Sequence, residues 1–255
     1  MILNLILRKW DDLPAEMKSE SVRQYYEILC KKKPTLFIKG LFDFCMGVFM
    51  LIVLSPAILG ISIAIKVDSP GPVLFRQTRV TQYGRRFKIY KFRTMSDHPD
   101  ETGARITQAN DSRITGIGSR IRKSRIDEIP QLLNIIRRDM SFVGTRPEVV
   151  KFVDRYTQEM MATLLLKAGV TSKASIQFKN EESMLIQTDD PDAAYMKMIM
   201  PQKMRINLKS IEELSIRDDI GTMIRTVIPS FGRSKTQESY GPEPAAEEEF
   251  ITLDR

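Results

Sequence analysis

Histidine is almost absent from this chain: His98 is the only one in 255 residues. That excludes a Ser-His-Asp or Cys-His nucleophile and any zinc site built on histidines. Cysteine is nearly as scarce. Cys30 and Cys45 offer no metal-ligand spacing, and Cys45 lies inside an apolar run, which fits a reducing, cytoplasm-facing environment. Glycines are present, yet Gly116 and Gly118 follow neither the Rossmann nor the P-loop spacing. A secretory signal is not expected either, because Met1 to Leu7 is too short an apolar run and no small-residue cleavage site follows. Chemistry is left to carboxylates, lysines, arginines and a hard metal ion.

Positive charge is plentiful. The net charge of +7 predicts an anionic partner, with membrane surface, nucleotide and nucleic acid as the classes. No nucleic-acid motif is recognisable, so that class is not expected. From Leu41 to Ile65 the only charge is Asp43. As a helix this run would be roughly 35 Å long, enough for the hydrocarbon core of a bilayer. Ser55-Pro56 falls in its middle, where proline removes a backbone bond and bends a helix. Lys31, Lys32, Lys33 and Lys39 precede the run; Lys66, Arg76, Arg79, Arg85, Arg86 and Lys88 follow it. Positive flanks favour the cytoplasm, and one helix satisfies that on both sides only by dipping in and returning. A re-entrant helix bent at Ser55 and Pro56 is therefore expected, with a single-pass anchor as the alternative.

The remaining pattern is mixed. Val22 to Leu29 predicts an amphipathic helix ended by Lys31-Lys32-Lys33-Pro34. After the turn-rich Asp68 to Pro72, Val73–Gln77 and Arg86–Phe92 alternate like two strands joined through Gln82-Tyr83-Gly84. This basic hairpin suits anionic lipid headgroups and phosphate equally. Ser96 to Asn110, with His98, reads as a polar loop, and a helix begins near Ile117. Val149 to Ala168 has helical spacing, broken by Gly169 to Ser172; Asn180 to Pro191 reads as an acidic loop. Ala193 to Leu214 reads as a helix whose Met196, Met200 and Met204 serve the core. Ile216, Ile220, Met223, Ile224, Val227 and Ile228 fall on one helical face, expected on the core in preference to the lipid interface. The polar, acidic Gly232 to Arg255 reads as a disordered tail.

The chemistry concentrates in Ser124 to Asn134. Pro130 suits a first helical turn, predicting a helix over Pro130–Arg137 with Asp127 and Glu128 at its N-terminal mouth, where a phosphate could sit. Arg120, Arg122, Lys123 and Arg125 precede the pair; Arg137, Arg138 and Arg146 follow. In that field both acids should be ionised, and one could act as nucleophile or metal ligand. The plainer alternative is a helix cap that neutralises its neighbours. Arg146-Pro147 reads as a rigid turn presenting one arginine fork to a phosphate.

Taken in order, Phe42-Asp43 with Ser55-Pro56, Asp68 to Val73, Lys91 to Met95, Asp127 to Leu132, Asp139-Met140-Ser141 and Arg146-Pro147 resemble the bacterial sugar transferase family, the monotopic phosphoglycosyl transferases, in its minimal catalytic form. The resemblance covers about Lys39 to Thr226. It implies an α+β, helix-rich monotopic membrane protein with an N-terminal re-entrant membrane helix and a small cytoplasmic catalytic domain. The expected divisions are an amphipathic segment over 1–36, the membrane helix over 37–66, the catalytic domain over 67–231 and the tail over 232–255. It further implies transfer of a sugar-1-phosphate from a UDP-sugar to undecaprenyl phosphate with release of UMP, through a covalent intermediate, at the bacterial cytoplasmic membrane and with anionic lipid nearby. Asp127 carries over as nucleophile with Glu128 beside it, and the two would hold Mg²⁺. Lys91 and Arg146, with Arg93 and Pro147 of the same motifs, would hold the diphosphate. A homo-oligomer is compatible with all of this. Thr145 stands where the family commonly has proline, which loosens the Arg146 turn; Ile126 replaces a frequent leucine.

Two other classes of function remain open on these residues. A membrane-anchored basic adaptor explains the charge and the apolar run but not the acidic pair among arginines. A membrane-bound Mg²⁺-dependent phosphodiesterase would use the same carboxylates on water.

Overall fold

The computed structural model describes residues 7–96, 113–179, 181 and 190–227, mostly helical with four short strands. The predicted loop around His98, most of the acidic Asn180–Pro191 stretch and the tail from Gly232 lie outside the described residues.

Helix α1 (Glu20–Lys31) starts where the Ser19 hydroxyl accepts the Val22 amide, at 3.3 Å. Its Val22, Tyr25 and Leu29, spaced by three and four, are buried in a core with Leu165, Leu208 and Ile211. Helix α2 (Lys33–Asp68) follows, with Pro34 in its first turn. At ~1.5 Å per residue α2 is about 54 Å long. It is the one helix among the described residues long and apolar enough to cross a membrane, and only 6% of its apolar window is buried, unlike the core helix of a soluble protein.

The helix runs on through Pro56. Proline there has no N–H for the Ile52 carbonyl one turn back. The Ser55 hydroxyl donates to that carbonyl instead, at 2.7 Å. Serine before proline thus resolves an acceptor that lipid would leave unsatisfied.

One side of α2 lies along the rest of the protein. Phe42, Met46 and Met50 pack against Phe87, Leu132, Ile135 and Phe142, while Ile58, Ile61 and Ile65 meet Phe92 and Ile121. Each such side chain fully buried stabilises by about 1.5–3 kcal/mol. Charges are buried at the helix's start for a reason. Lys39 donates to the Val143 carbonyl (2.9 Å) and pairs with Asp219 (2.6 Å), and Asp43 accepts the Phe142 amide at 3.2 Å. The opposite side exposes Phe44, Phe49, Ile52, Val53, Leu59 and Ile63.

Strands β1 (Leu74–Val80) and β2 (Arg86–Phe92) form the expected antiparallel hairpin, with Leu74 opposite Phe92 and Val80 opposite Arg86. Tyr83 and Gly84 take positive φ in its turn. Helix α3 (Gly116–Lys123) and the short α4 (Gln131–Ile136) pack beneath. Fully buried Asn134 of α4 closes the free edge of β2: it accepts the Tyr90 amide (3.0 Å) and donates to the Lys88 carbonyl (2.8 Å).

A second sheet was not expected. Strand β3 (Met140–Val143) pairs in parallel with a later β4 (Ala168–Thr171). The predicted Val149–Ala168 helix is corrected to a single turn, α5 (Val150–Val153), followed by a 3₁₀ segment over Met160–Leu165. Ala162 to Leu165 are buried in succession, which a helix presenting one apolar face does not do. Gly169 extends the strand where a helix breaker was expected. A β-carbon on it would lie 2.2 Å from the Gly144 nitrogen, so the two glycines let the backbones touch.

After α6 (Lys173–Gln177), the described C-terminal part comprises α7 (Pro191–Ala194), a π-helical turn over Tyr195–Ile199, α8 (Met200–Glu212) and α9 (Ile216–Val227). The π turn lies just before Pro201, which cannot donate an ordinary helix bond. Met200 and Met204 are buried as expected, with Met196 partly so. Helix α9 departs from expectation. Met223 touches the core, but Ile220, Ile224 and Val227 point outward, 42%, 49% and 78% exposed. The face that docks is polar: Thr222 is buried, Thr226 bonds Thr171 at 2.7 Å, and Asp219 holds Lys39.

Candidate active site

Chain geometry separates the two central acids. Arg125 adopts a left-handed conformation (φ 56°), and Ile126–Glu128 form one 3₁₀ turn before Pro130 and α4. The predicted Pro130–Arg137 helix is thus six residues long, and the acids stand a turn ahead of it. So short a helix lends little dipole to a phosphate.

Glu128 is clamped. Lys91 from β2 donates to Oε1 at 3.0 Å, and Arg146, in the loop after β3, forks onto both oxygens, with 3.3 Å to Oε2. Arg146 also donates to the Val170 carbonyl of β4 at 3.1 Å. Burial alone would raise the Glu128 carboxyl, but Arg146 and then Lys91 outweigh it and hold the group well below the usual carboxylate range. On Arg146 burial works toward a lower value, and Glu128 overcomes that, so the guanidinium stays charged. Burial lowers Lys91, and Glu128 opposes the shift.

Asp127 has no such partner. It is 8% exposed and accepts no hydrogen bond among the described residues. Burial raises its carboxyl; Lys91 opposes that, and the charge of Glu128 adds to it. A buried, unclamped carboxylate beside a clamped one is the distinctive feature of this site.

The other expected residues divide. Pro147 is buried in the turn, its carbonyl accepting from Arg79 at 3.3 Å. Arg93 is not brought to Glu128: its guanidinium donates to the Ser69 carbonyl and hydroxyl at 2.7 and 2.9 Å. Of the basic field, Arg122 bears on Asp127 through its charge, whereas Arg137 meets Tyr90 and Arg138 lies over Phe44. Buried Asn134, Glu148, Tyr195 and Lys203 carried no expectation. Glu148 stood in plain view after Arg146-Pro147, but its partners lie too far along the chain for spacing to suggest them.

Among the described residues no three acidic, histidine or cysteine groups gather as a metal cage. Mg²⁺ commonly takes one or two carboxylates and draws its other oxygens from substrate phosphates and water. Asp127, in no ion pair among the described residues, fits that role, and Glu128 fits once a diphosphate draws Lys91 and Arg146 away.

A sequence profile described as bacterial sugar transferase matches residues 34–233. The chain is 41% identical over 143 residues to a UDP-N-acetylgalactosamine-undecaprenyl-phosphate N-acetylgalactosaminephosphotransferase of Aeromonas hydrophila, covering 55% of this chain and 34% of the relative. It is 31% identical over 192 residues to a UDP-glucose:undecaprenyl-phosphate glucose-1-phosphate transferase of Escherichia coli, covering 74% and 39%. A protein of that same name from Caulobacter vibrioides is 32% identical over 192 residues, covering 74% of this chain and 68% of the relative. The chain therefore spans under half the length of the Aeromonas and Escherichia relatives and about two thirds of the Caulobacter one. By the profile match and the extent of the Caulobacter alignment, this chain belongs to the bacterial sugar transferase family.

Proposed function

We propose that the chain transfers a sugar-1-phosphate from a UDP-sugar to undecaprenyl phosphate, releasing UMP, through an aspartyl-phosphosugar intermediate. The observation that carries this is the unclamped Asp127 beside a Glu128 that gathers Lys91 and Arg146. An Asp127 oxygen attacks the phosphorus bearing the sugar; the bond to the UMP oxygen breaks, and UMP departs with that electron pair. Lys91 and Arg146 are the cations available to the diphosphate as charge builds on the leaving group. Mg²⁺, held by Asp127 and Glu128, would supply further neutralisation of the phosphate oxygens. In the second step an oxygen of the lipid phosphate attacks the same phosphorus and expels Asp127 as carboxylate. Its named relatives use different sugars, N-acetylgalactosamine and glucose, so donors should be screened as a panel. Multiple-turnover UMP release that requires both a UDP-sugar and undecaprenyl phosphate is the expected result. Free sugar phosphate formed without the lipid would make the chain a phosphodiesterase, and no reaction with any donor would remove the assignment.

The proposal includes a monotopic attachment, with α2 entering and leaving the cytoplasmic leaflet. Its support is that both ends of α2 are tied to one body. Lys39 holds Val143 and Asp219 near the start, and Asp68 accepts the Ile117 amide at 3.1 Å at the end. A helix with its ends on opposite sides of a membrane could not keep both ties. The outward Ile220, Ile224 and Val227 of α9 would rest in the same interface. Cysteines placed near Lys33 and near Arg85 should both react only from the cytoplasmic side. External labelling of either would restore a single-pass anchor.

A further inference from the structure

Besides Asp43, which caps the Phe142 amide, the site described above leaves a buried carboxylate unused. Glu148 follows Arg146-Pro147 directly and is 8% exposed, enclosed with Tyr195 (7%) and Lys203 (5%). The Tyr195 hydroxyl donates to Glu148 Oε1. Lys203 donates in turn to the Tyr195 oxygen at 3.1 Å and to Glu181 at 2.8 Å. Phe152 packs on the Tyr195 ring, the centroids 5.1 Å apart. Burial, and then the charge of Glu148, push the Tyr195 hydroxyl far upward, so it remains a donor. The result is a one-directional relay from a buried ammonium through a phenol to a buried carboxylate.

Such a relay is costly as mere packing, since buried charges lose hydration and apolar residues often fill the same space as well. Its position gives it another use. The Glu148 carbonyl accepts the Val80 amide at 3.0 Å, and the Pro147 carbonyl accepts from Arg79, so the backbone here is strung onto β1. Upstream, the Thr145 carbonyl accepts the Gly169 amide at 2.9 Å, tying the same segment to β4. Arg146 sits between these ties, and Thr145 leaves the turn without the stiffness of a second proline. The side chain of Glu148 adds a further tie, to Tyr195 of the π turn and through it to Lys203 of α8.

We propose that Lys203, Tyr195 and Glu148 form a positioning relay that fixes the Arg146 guanidinium for the diphosphate, placing donor binding under the control of the C-terminal helices. This rests on the UDP-sugar reading above. The test is a double-mutant cycle on the affinity of the full chain for UDP, measured by calorimetry in detergent. Tyr195→Phe removes the donor to Glu148 and keeps the ring; about tenfold weaker binding is expected, on the scale of one hydrogen bond to a charged group. Arg146→Lys should cost a similar factor. If Tyr195 acts through Arg146, the double variant should bind within about twofold of Arg146→Lys alone, because coupled sites do not add. Lys203→Met is the second entry to the cycle should Tyr195→Phe fold poorly, with the same non-additivity expected. Unchanged UDP affinity in both variants, or losses that multiply with Arg146→Lys, would overturn the relay; so would a lower melting temperature with affinity intact. Wild-type protein that bound no UDP would sink the donor assignment itself and the relay with it.

Discussion

Asp127→Asn should reduce sugar-phosphate transfer to background and leave no labelled sugar-phosphate on the protein. The substitution keeps size and shape and removes the charge proposed to attack. Because Asp127 takes part in no described hydrogen bond or ion pair, the fold should be unaffected by it. Wild-type protein given a UDP-sugar without lipid should release UMP in a burst of at most one equivalent and then stall. The acid limb of kcat/KM is a second signature, since it reports the free enzyme's ionisations. Burial raises the Asp127 carboxyl, so the reactive carboxylate is lost at a higher pH than for an exposed aspartate, which titrates near ~3.9. The limb should therefore lie above that value. Substantial turnover by Asp127→Asn would end the covalent mechanism, and an adduct mapped to Glu128 would exchange the two roles.

The parts of this protein visible in its sequence are those whose physics is local. The hairpin is one: Phe87 and Ile89 alternate with Lys88, and a turn able to take positive φ stands between the strands. The Ser19-capped α1 is another. The β3–β4 pair was invisible because each strand has four residues and pairs in parallel with a partner met only after α5 and the 3₁₀ segment. Helix α9 shows a different limit. Apolar spacing identifies a face but not what covers it, and here Lys39 and Thr171 claim the polar side and turn Ile220 and Ile224 outward. The acidic pair stands out by its cationic setting, but residue type and spacing alone do not tell the two acids apart. Adjacent residues look equivalent in sequence; a 3₁₀ turn sends Glu128 to Lys91 and Arg146 and leaves Asp127 without them. Arg93 illustrates the converse, sharing a motif with Lys91 while its Nη2 reaches Ser69 and not Glu128.

Glu128→Gln should separate binding from chemistry in opposite directions. In the free protein Glu128 occupies the two cations that a diphosphate would use. Removing its charge leaves Lys91 and Arg146 uncompensated, and breaking a buried pair by one partner costs about 3–5 kcal/mol of stability. An anionic ligand can return part of that. UDP, measured without divalent ions, should therefore bind Glu128→Gln more tightly than wild type and raise its melting temperature by more. Chemistry should move the other way. Transfer is expected to fall by roughly a hundredfold, about 2.7 kcal/mol in the barrier, because the amide neither holds a cation at the phosphates nor accepts a proton. Some adduct should still form, since the proposed attacking oxygen belongs to Asp127. The acid limb should shift as well. The Glu128 charge is one of the causes raising Asp127, while Lys91 opposes it, so its removal moves the limb to lower pH. Weaker UDP binding by Glu128→Gln would show that Lys91 and Arg146 serve the fold and that the diphosphate is held elsewhere.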